Sequence, residues 1–275
     1  MTSTDASAET VTRDYPSIDD VSVSLTDGVL AVTLNRPDSL NSLNRDMLNA
    51  VADAMEVAAT DPAVRVVRLG GAGRGFSSGA GISEEDQNAK GHDAAAVLDA
   101  ANRAVAAIVA LPKPVVAVVH GPAAGVGVSL ALACDIVLAS DQAFFLLAFT
   151  KIGLMPDGGA SALVAAAIGR IRAMRLALLA DRLTATDAYD WGLISAVYPA
   201  DEFDAAVDKV LAKLRNGPAV ALRKTKQAIN EATLTELDDA IAREREGQLE
   251  LLVANDFREG AQAFQQNRRP EFTDQ

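Results

Sequence analysis

His120-Gly121-Pro122-Ala123-Ala124-Gly125-Val126-Gly127 follows the β-rich run Val115–Val119 and opens into Val128–Cys134, a short apolar segment read as a helix. The same order of signals occurs upstream. There the strand-like Val64–Leu69 gives way to a glycine-rich loop, Gly70 to Gly81, and then to a helix predicted from Ser83 through Leu111. This first loop contains Phe76-Ser77-Ser78-Gly79-Ala80-Gly81-Ile82. Small residues let a ligand approach the backbone, and the first N–H groups of a helix have no intrahelical acceptor. Two such loops side by side can point two N–H groups at one carbonyl oxygen, the arrangement of an oxyanion hole. Each loop taken singly is more often just a tight strand-to-helix turn.

Outward from these loops the pattern stays mixed. Val21–Leu25 and Val29–Leu34 flank Thr26-Asp27-Gly28, a turn signal between β-rich runs and hence a hairpin. Asn35-Arg36-Pro37 ends the second strand, because proline cannot continue a central ladder. Met47 to Ala59 is predicted helical, with Leu48, Val51, Met55 and Ala58 on one face. Ile136–Ala139 is a further strand, and Pro156-Asp157-Gly158-Gly159 a turn before an alanine-rich helix ending near Gly169. Beyond Asp201 the period is helical, interrupted at Gly217-Pro218. Strands alternating with helices, then helices alone, define an α/β class. The expected organisation is a polar, disordered tail at 1–16, a core at 17–200 and a helical region at 201–275.

Of the 275 residues, 25 are Lys or Arg and 37 are Asp or Glu, a net charge of −12. This balance argues against general nucleic-acid binding, which needs a basic footprint. A small anionic ligand held by local cations or N–H groups stays compatible with it. Cys134 is the single cysteine and His92 and His120 the only histidines, so no zinc-type cluster is expected and no metal. No apolar run approaches membrane-spanning length and the N-terminus lacks signal-peptide character, so a cytoplasmic protein without membrane insertion is expected. Rival motifs fail on their mechanics. Leu130 stands where a dinucleotide fingerprint needs its third glycine, and the context of Ser129 lacks the last glycine of a nucleophile elbow. Cys134 reads as core, His120 as a strand-end residue and His92 as a solvated helix residue. Lys224, Lys226, Arg268 and Arg269 read as solvated faces that a polyphosphate ligand could recruit.

The order of motifs is more specific than any one of them. Asn35-Arg36-Pro37, the run Gly73–Ala80, the loop-helix Gly121–Asp135, Gly153-Leu154-Met155-Pro156-Asp157-Gly158-Gly159, Trp191-Gly192-Leu193 and Gly260-Ala261-Gln262-Ala263-Phe264 together resemble the enoyl-CoA hydratase/isomerase (crotonase) family over residues 20–272. The resemblance implies a spiral of ββα units, a C-terminal helical trimerisation region that also covers the active site, and a homotrimer or a hexamer built as a dimer of trimers. It implies an acyl-CoA thioester as substrate, with coenzyme A part of that substrate and no separate cofactor. By position it places the oxyanion-hole N–H groups at Ala80 and Val126. It places substrate-binding positions at Ser39, Leu40, Gly79, Gly81, Ile82, Gly125, Ser129 and Phe149.

The departures shape the expected chemistry. The two glutamates of the family's hydratases fall at Ser129 and Phe149, the frequent Asp after the first hole residue is Gly81, and a CoA-assisting Lys is Asn267. Asp157 matches the position several isomerases of the family use as proton shuttle, although Pro-Asp-Gly-Gly also favours Asp for local turn reasons. Two N–H donors on a thioester oxygen stabilise an enolate, and one carboxylate can then take a proton from one carbon and return it to another. Double-bond isomerisation in an enoyl-CoA is therefore the leading expectation. The alternatives are a hydratase of fatty-acid degradation, using Asp157 alone or a carboxylate such as Glu84 or Glu85; Asp157 as nucleophile or base for another thioester reaction; and a non-catalytic acyl-CoA binder. A second expectation is assembly through an apolar face of Leu234, Leu237, Ile241, Leu249, Leu251 and Leu252.

Overall fold

A computed structural model describes residues 15–82 and 93–274. The hairpin forms as expected: β1 (Val21–Thr26) pairs antiparallel with β2 (Val29–Leu34), and Asp27 and Gly28 both take positive φ, 48° and 78°. That is the turn geometry whose twist matches the flanking strands. From β2 the sheet continues in parallel through β3 (Val66–Gly71), β4 (Val115–Val119), β6 (Ile136–Ser140) and β9 (Ala196–Tyr198). A second, three-stranded sheet consists of β5 (Pro122–Ala124), β7 (Phe144–Leu146) and β8 (Leu183–Thr184). The chain thus runs from a strand of the first sheet into a strand of the second and then into a helix. This ββα unit is clearest at β4, β5 and α3 (Val126–Ala133).

Strand β4, Val-Val-Ala-Val-Val, is buried at every position because both sheet faces are covered. Val115, Ala117 and Val119 join the main core with α1 (Arg45–Thr60) and α2 (Ala94–Ala110). Val116 and Val118 pack on the other side against Phe203, Val207 and Leu211 of α6 (Phe203–Arg215). Between them lie α4 (Ala160–Leu179) and α5 (Ala185–Trp191); after α6 come α7 (Ala219–Thr233), α8 (Leu237–Leu252) and α9 (Asn255–Gln265).

Several expectations change. Of the helix expected from Ser83, the described part begins at Ala94, capped by Asp93 Oδ1 accepting from Ala95 and Ala96 N–H; Ser83, Glu84, Glu85 and His92 lie outside the described residues. Residues 1–14 of the expected tail also lie outside them, but Tyr15 is buried and its hydroxyl donates to Asp61. The alanine-rich helix does not end at Gly169. That residue breaks it, at φ 74° and ψ 159°, and a second helical segment runs on to Leu179. Lys226 is no solvated cation: its Nζ lies 3.0 Å from Asp135 and also donates to the carbonyls of Ile108 and Lys113, fastening α7 to the core. Half of the C-terminal apolar face is used within the chain. Leu237 is buried and Leu234 and Ile241 pack on the main core, whereas Leu249, Leu251 and Leu252 lie outside that core and are half-buried.

Candidate active site

The two loops meet through their glycines. Gly79 has φ +92° and Gly125 has φ +52°, conformations that favour residues without a Cβ. A methyl group on Gly79 would lie 2.9 Å from the Ala124 carbonyl oxygen and 3.3 Å from Gly125 Cα. The residues that follow these glycines are Ala80 and Val126, so the close backbone approach sets the two expected donors beside each other. Their N–H groups are both uncommitted among the described residues. Ala80 bridges Leu43 in parallel, with Leu43 N–H donating to Gly79 O (2.8 Å) and Gly81 N–H to Leu43 O (3.1 Å). That pairing turns the N–H of Ala80 away from Leu43. Val126 is the first residue of α3, where an intrahelical acceptor does not exist. Neither N–H donates to another group among the described residues.

The first loop is held by groups that the sequence analysis did not single out. Asn41, fully buried with φ 55°, donates through Nδ2 to the carbonyls of Ala72, Gly75 and Phe76 and accepts the Arg36 N–H on Oδ1. Ser77 Oγ donates to Asn41 O (2.9 Å) and accepts from Gly79 N–H (3.1 Å). The expected binding positions Ser39 and Leu40 abut this loop, their carbonyls accepting from Ser78 Oγ and Ser78 N–H. Ile82 O accepts from Gln265 Nε2 of α9 at 2.8 Å.

On the second loop, Phe149 is buried and its ring edge adjoins Gly125. Ser129 is fully buried on α3, and its hydroxyl donates to Asp157 O at 2.7 Å. The neighbouring Gly158 sits against Ser129 and Val126, so the Pro156–Gly159 turn lies on the N-terminal half of α3. Asp157 is thereby brought beside the second donor loop. Its Oδ2 accepts from Gln248 Nε2 at 2.8 Å, while its Oδ1 is buried with no hydrogen-bond partner among the described residues. Burial pushes its carboxyl up to about 7; the Gln248 hydrogen bond opposes that rise and the charge of Glu244 adds to it.

Glu244 and Gln248 are the residues that sequence reasoning missed. Glu244 is buried, and its two oxygens accept from Gly159 N–H (2.6 Å) and Ser161 N–H (2.7 Å), capping the start of α4. Its carboxyl too is raised by burial, with those hydrogen bonds acting the other way. A signal existed: Leu237, Ile241, Glu244 and Gln248 follow one another at helical spacing, so the polar pair continues an inward apolar stripe.

The enoyl-CoA hydratase/isomerase family model matches residues 24–275. A 1,2-epoxyphenylacetyl-CoA isomerase of Escherichia coli K12 is 39% identical over 249 residues, 90% of this chain and 95% of that protein. A trans-2-decenoyl-[acyl-carrier-protein] isomerase of Streptococcus mutans is 31% identical over 249 residues, with 90% and 95% covered. The crystal structure of an enoyl-CoA hydratase from Mycobacterium avium subsp. paratuberculosis K-10 superposes with a TM-score of 0.88 at 66% identity, covering 94% of this chain and all of that one. Spiral architecture, paired donor loops and these likenesses agree: the chain belongs to the enoyl-CoA hydratase/isomerase family.

Proposed function

We propose that this enzyme moves the double bond of an enoyl-CoA. The thioester oxygen takes the N–H groups of Ala80 and Val126, and Asp157 carries the proton. The observation behind this reading is the Asp157 carboxyl beside the second donor loop, with a pKa of about 7 and one buried oxygen that has no hydrogen-bond partner among the described residues. Such a group is half ionised near neutral pH and serves as base and then as acid in one turnover. In a 3-enoyl thioester it removes a proton from C2; negative charge spreads from C4 to the thioester oxygen, where the two N–H donors and the start of α3 stabilise it. Return of the same proton to C4 completes the 2-enoyl product. No water takes part. Hydration would need a second group to orient water, and Ser129 has its hydroxyl proton on the Asp157 carbonyl while Phe149 is apolar. Glu244 has both oxygens engaged by backbone N–H groups.

Asp157→Asn tests this reading. Acyl-CoA affinity should persist, and interconversion of 3-enoyl- and 2-enoyl-CoA should fall by roughly 10²–10⁴-fold, as expected for general acid–base work. Wild type should isomerise faster than it hydrates. Faster hydration overturns the isomerase reading, and binding with neither reaction makes the chain an acyl-CoA carrier.

A further inference from the structure

The Gln248 amide makes three hydrogen bonds at the turn carrying Asp157. Its Oε1 accepts the Met155 N–H at 3.2 Å, and its Nε2 donates to Met155 O at 3.0 Å and to Asp157 Oδ2 at 2.8 Å. Met155 N–H requires an acceptor and Met155 O a donor, so the amide has one satisfactory orientation, and in it the second amide proton faces Asp157. The side chain is 1% exposed, and no solvent competes for it. Gly247 permits the approach: a methyl group there would lie 2.6 Å from Met155 Sδ.

We propose that Gln248 is a positioning residue of the site: it occupies Oδ2 of Asp157, fixes the plane of the carboxyl and leaves Oδ1 as the one oxygen that takes and returns the proton. This rests on Asp157 as the proton carrier. A freely rotating carboxyl would present either oxygen and hold the reacting one in place only part of the time. Clamping one oxygen confines transfer to the other, which is the orientational part of proton-transfer catalysis. The groups facing the carboxyl agree. From α3 comes Ser129, which is neutral and bonded to the Asp157 carbonyl; from α8 come Gln248 and Glu244. Of the other charges on α8, Arg243 acts on Glu244 and Arg245 is paired with Asp99 of α2. Gln248 is thus the donor that steadies the carboxylate against burial and the Glu244 charge.

The test is Gln248→Met, close in size and without the donor. Loss of a hydrogen bond to the charged form should raise the pH midpoint of kcat/KM by about one unit. The kcat at the pH plateau should fall by about tenfold, with KM for the acyl-CoA within about twofold of wild type. The Asp157 ¹³C-carboxyl NMR titration, assigned by its loss in Asp157→Asn, should move by the same amount. Gln248→Glu, which keeps the shape but sets a second carboxyl against Asp157, should raise both midpoints further and serves if the methionine variant does not fold. A lowered melting temperature with unmoved midpoints and kcat means a structural role only and overturns the proposal, with the function of Asp157 intact. Full isomerase activity in Asp157→Asn overturns the proton-carrier reading and the positioning role with it.

Discussion

Asp157 is stable in its fold chiefly as the neutral acid, and this has a consequence for stability that can be separated from catalysis. An unfolded aspartate ionises near pH 4, whereas this one holds its proton to about 7. Between those values the folded state binds more protons than the unfolded state, so its contribution to stability falls as pH rises and is lost in full above the folded pKa. Asp157→Asn cannot ionise and escapes the penalty. Its stability relative to wild type should therefore be higher at pH 8 than at pH 5, by roughly 1–3 kcal/mol in urea titrations. The same titration controls activity with the opposite benefit. Proton abstraction from the thioester substrate needs the carboxylate, so kcat/KM of the wild type should climb from pH 5 to 8 with its midpoint near 7. Activity therefore rises over the interval in which stability falls. A flat profile over that range, with chemistry limiting, would remove Asp157 from the reaction.

Helix α8 is where local sequence signals and tertiary structure part company. It carries Arg-Glu-Arg-Glu-Gly-Gln-Leu-Glu at residues 243–250, which reads as a charged, solvated face, yet Glu244 and Gln248 point inward at the Asp157 turn. Their partners lie 83 to 93 residues away in the chain, beyond the reach of any local pattern. Removing the Glu244 side chain leaves the N–H groups of Gly159 and Ser161 without their acceptor. Glu244→Ala should lower the melting temperature by roughly 3–10 °C, the range expected for a lost buried cap in a chain this long. It also removes a negative charge facing Asp157, so the pH midpoint of activity should move down, opposite to Gln248→Met. Equal shifts in both variants would mean that α8 acts only by holding the turn in place. Other elements were legible because their signals are local. Val115–Val119 is an unbroken apolar strand, Asp27-Gly28 carries its own turn chemistry, and Gly79 and Gly125 mark the two loops. Strands β5, β7, β8 and β9 have only two or three residues, too few to show a period, and exist because the second sheet and the edge of the first capture them. Asn41 escaped notice for a similar reason: its amide serves carbonyls 31 to 35 residues away.

At the scale of the whole molecule, the most exposed apolar row lies elsewhere than on the stripe expected from the sequence. Leu237 of that stripe is 5% exposed, whereas Ile171, Met174 and Leu178 of α4 are 75%, 42% and 61% exposed. Their spacing puts them on one face of the segment after the Gly169 break, and Gly169 has nothing packed over it. Arg172 lies over the Trp191 ring instead, on a different side of that segment. Exposed apolar side chains in such a row are costly to leave wet on a protein that carries charge −12 and keeps most of its large apolar residues inside. Self-association through this face would cover it, and the family resemblance makes three copies, or two sets of three, the expected assembly. A closed ring requires a different patch of the neighbouring copy to receive the α4 face, because cyclic trimers use two unlike surfaces. Val253 and Phe264, 75% and 61% exposed on the C-terminal helical region, are candidates for that receiving surface. Sedimentation velocity at micromolar concentration should give a species of three or six chains. Ile171→Asp combined with Leu178→Asp should shift it to monomer, since an interface that buries two carboxylates without partners loses several kcal/mol. Both positions are exposed within the single chain, so circular dichroism should stay unchanged. A wild type that sediments as a stable monomer would leave the α4 stripe without a partner and reject the assembly; a variant that still forms trimers would move the interface to another face.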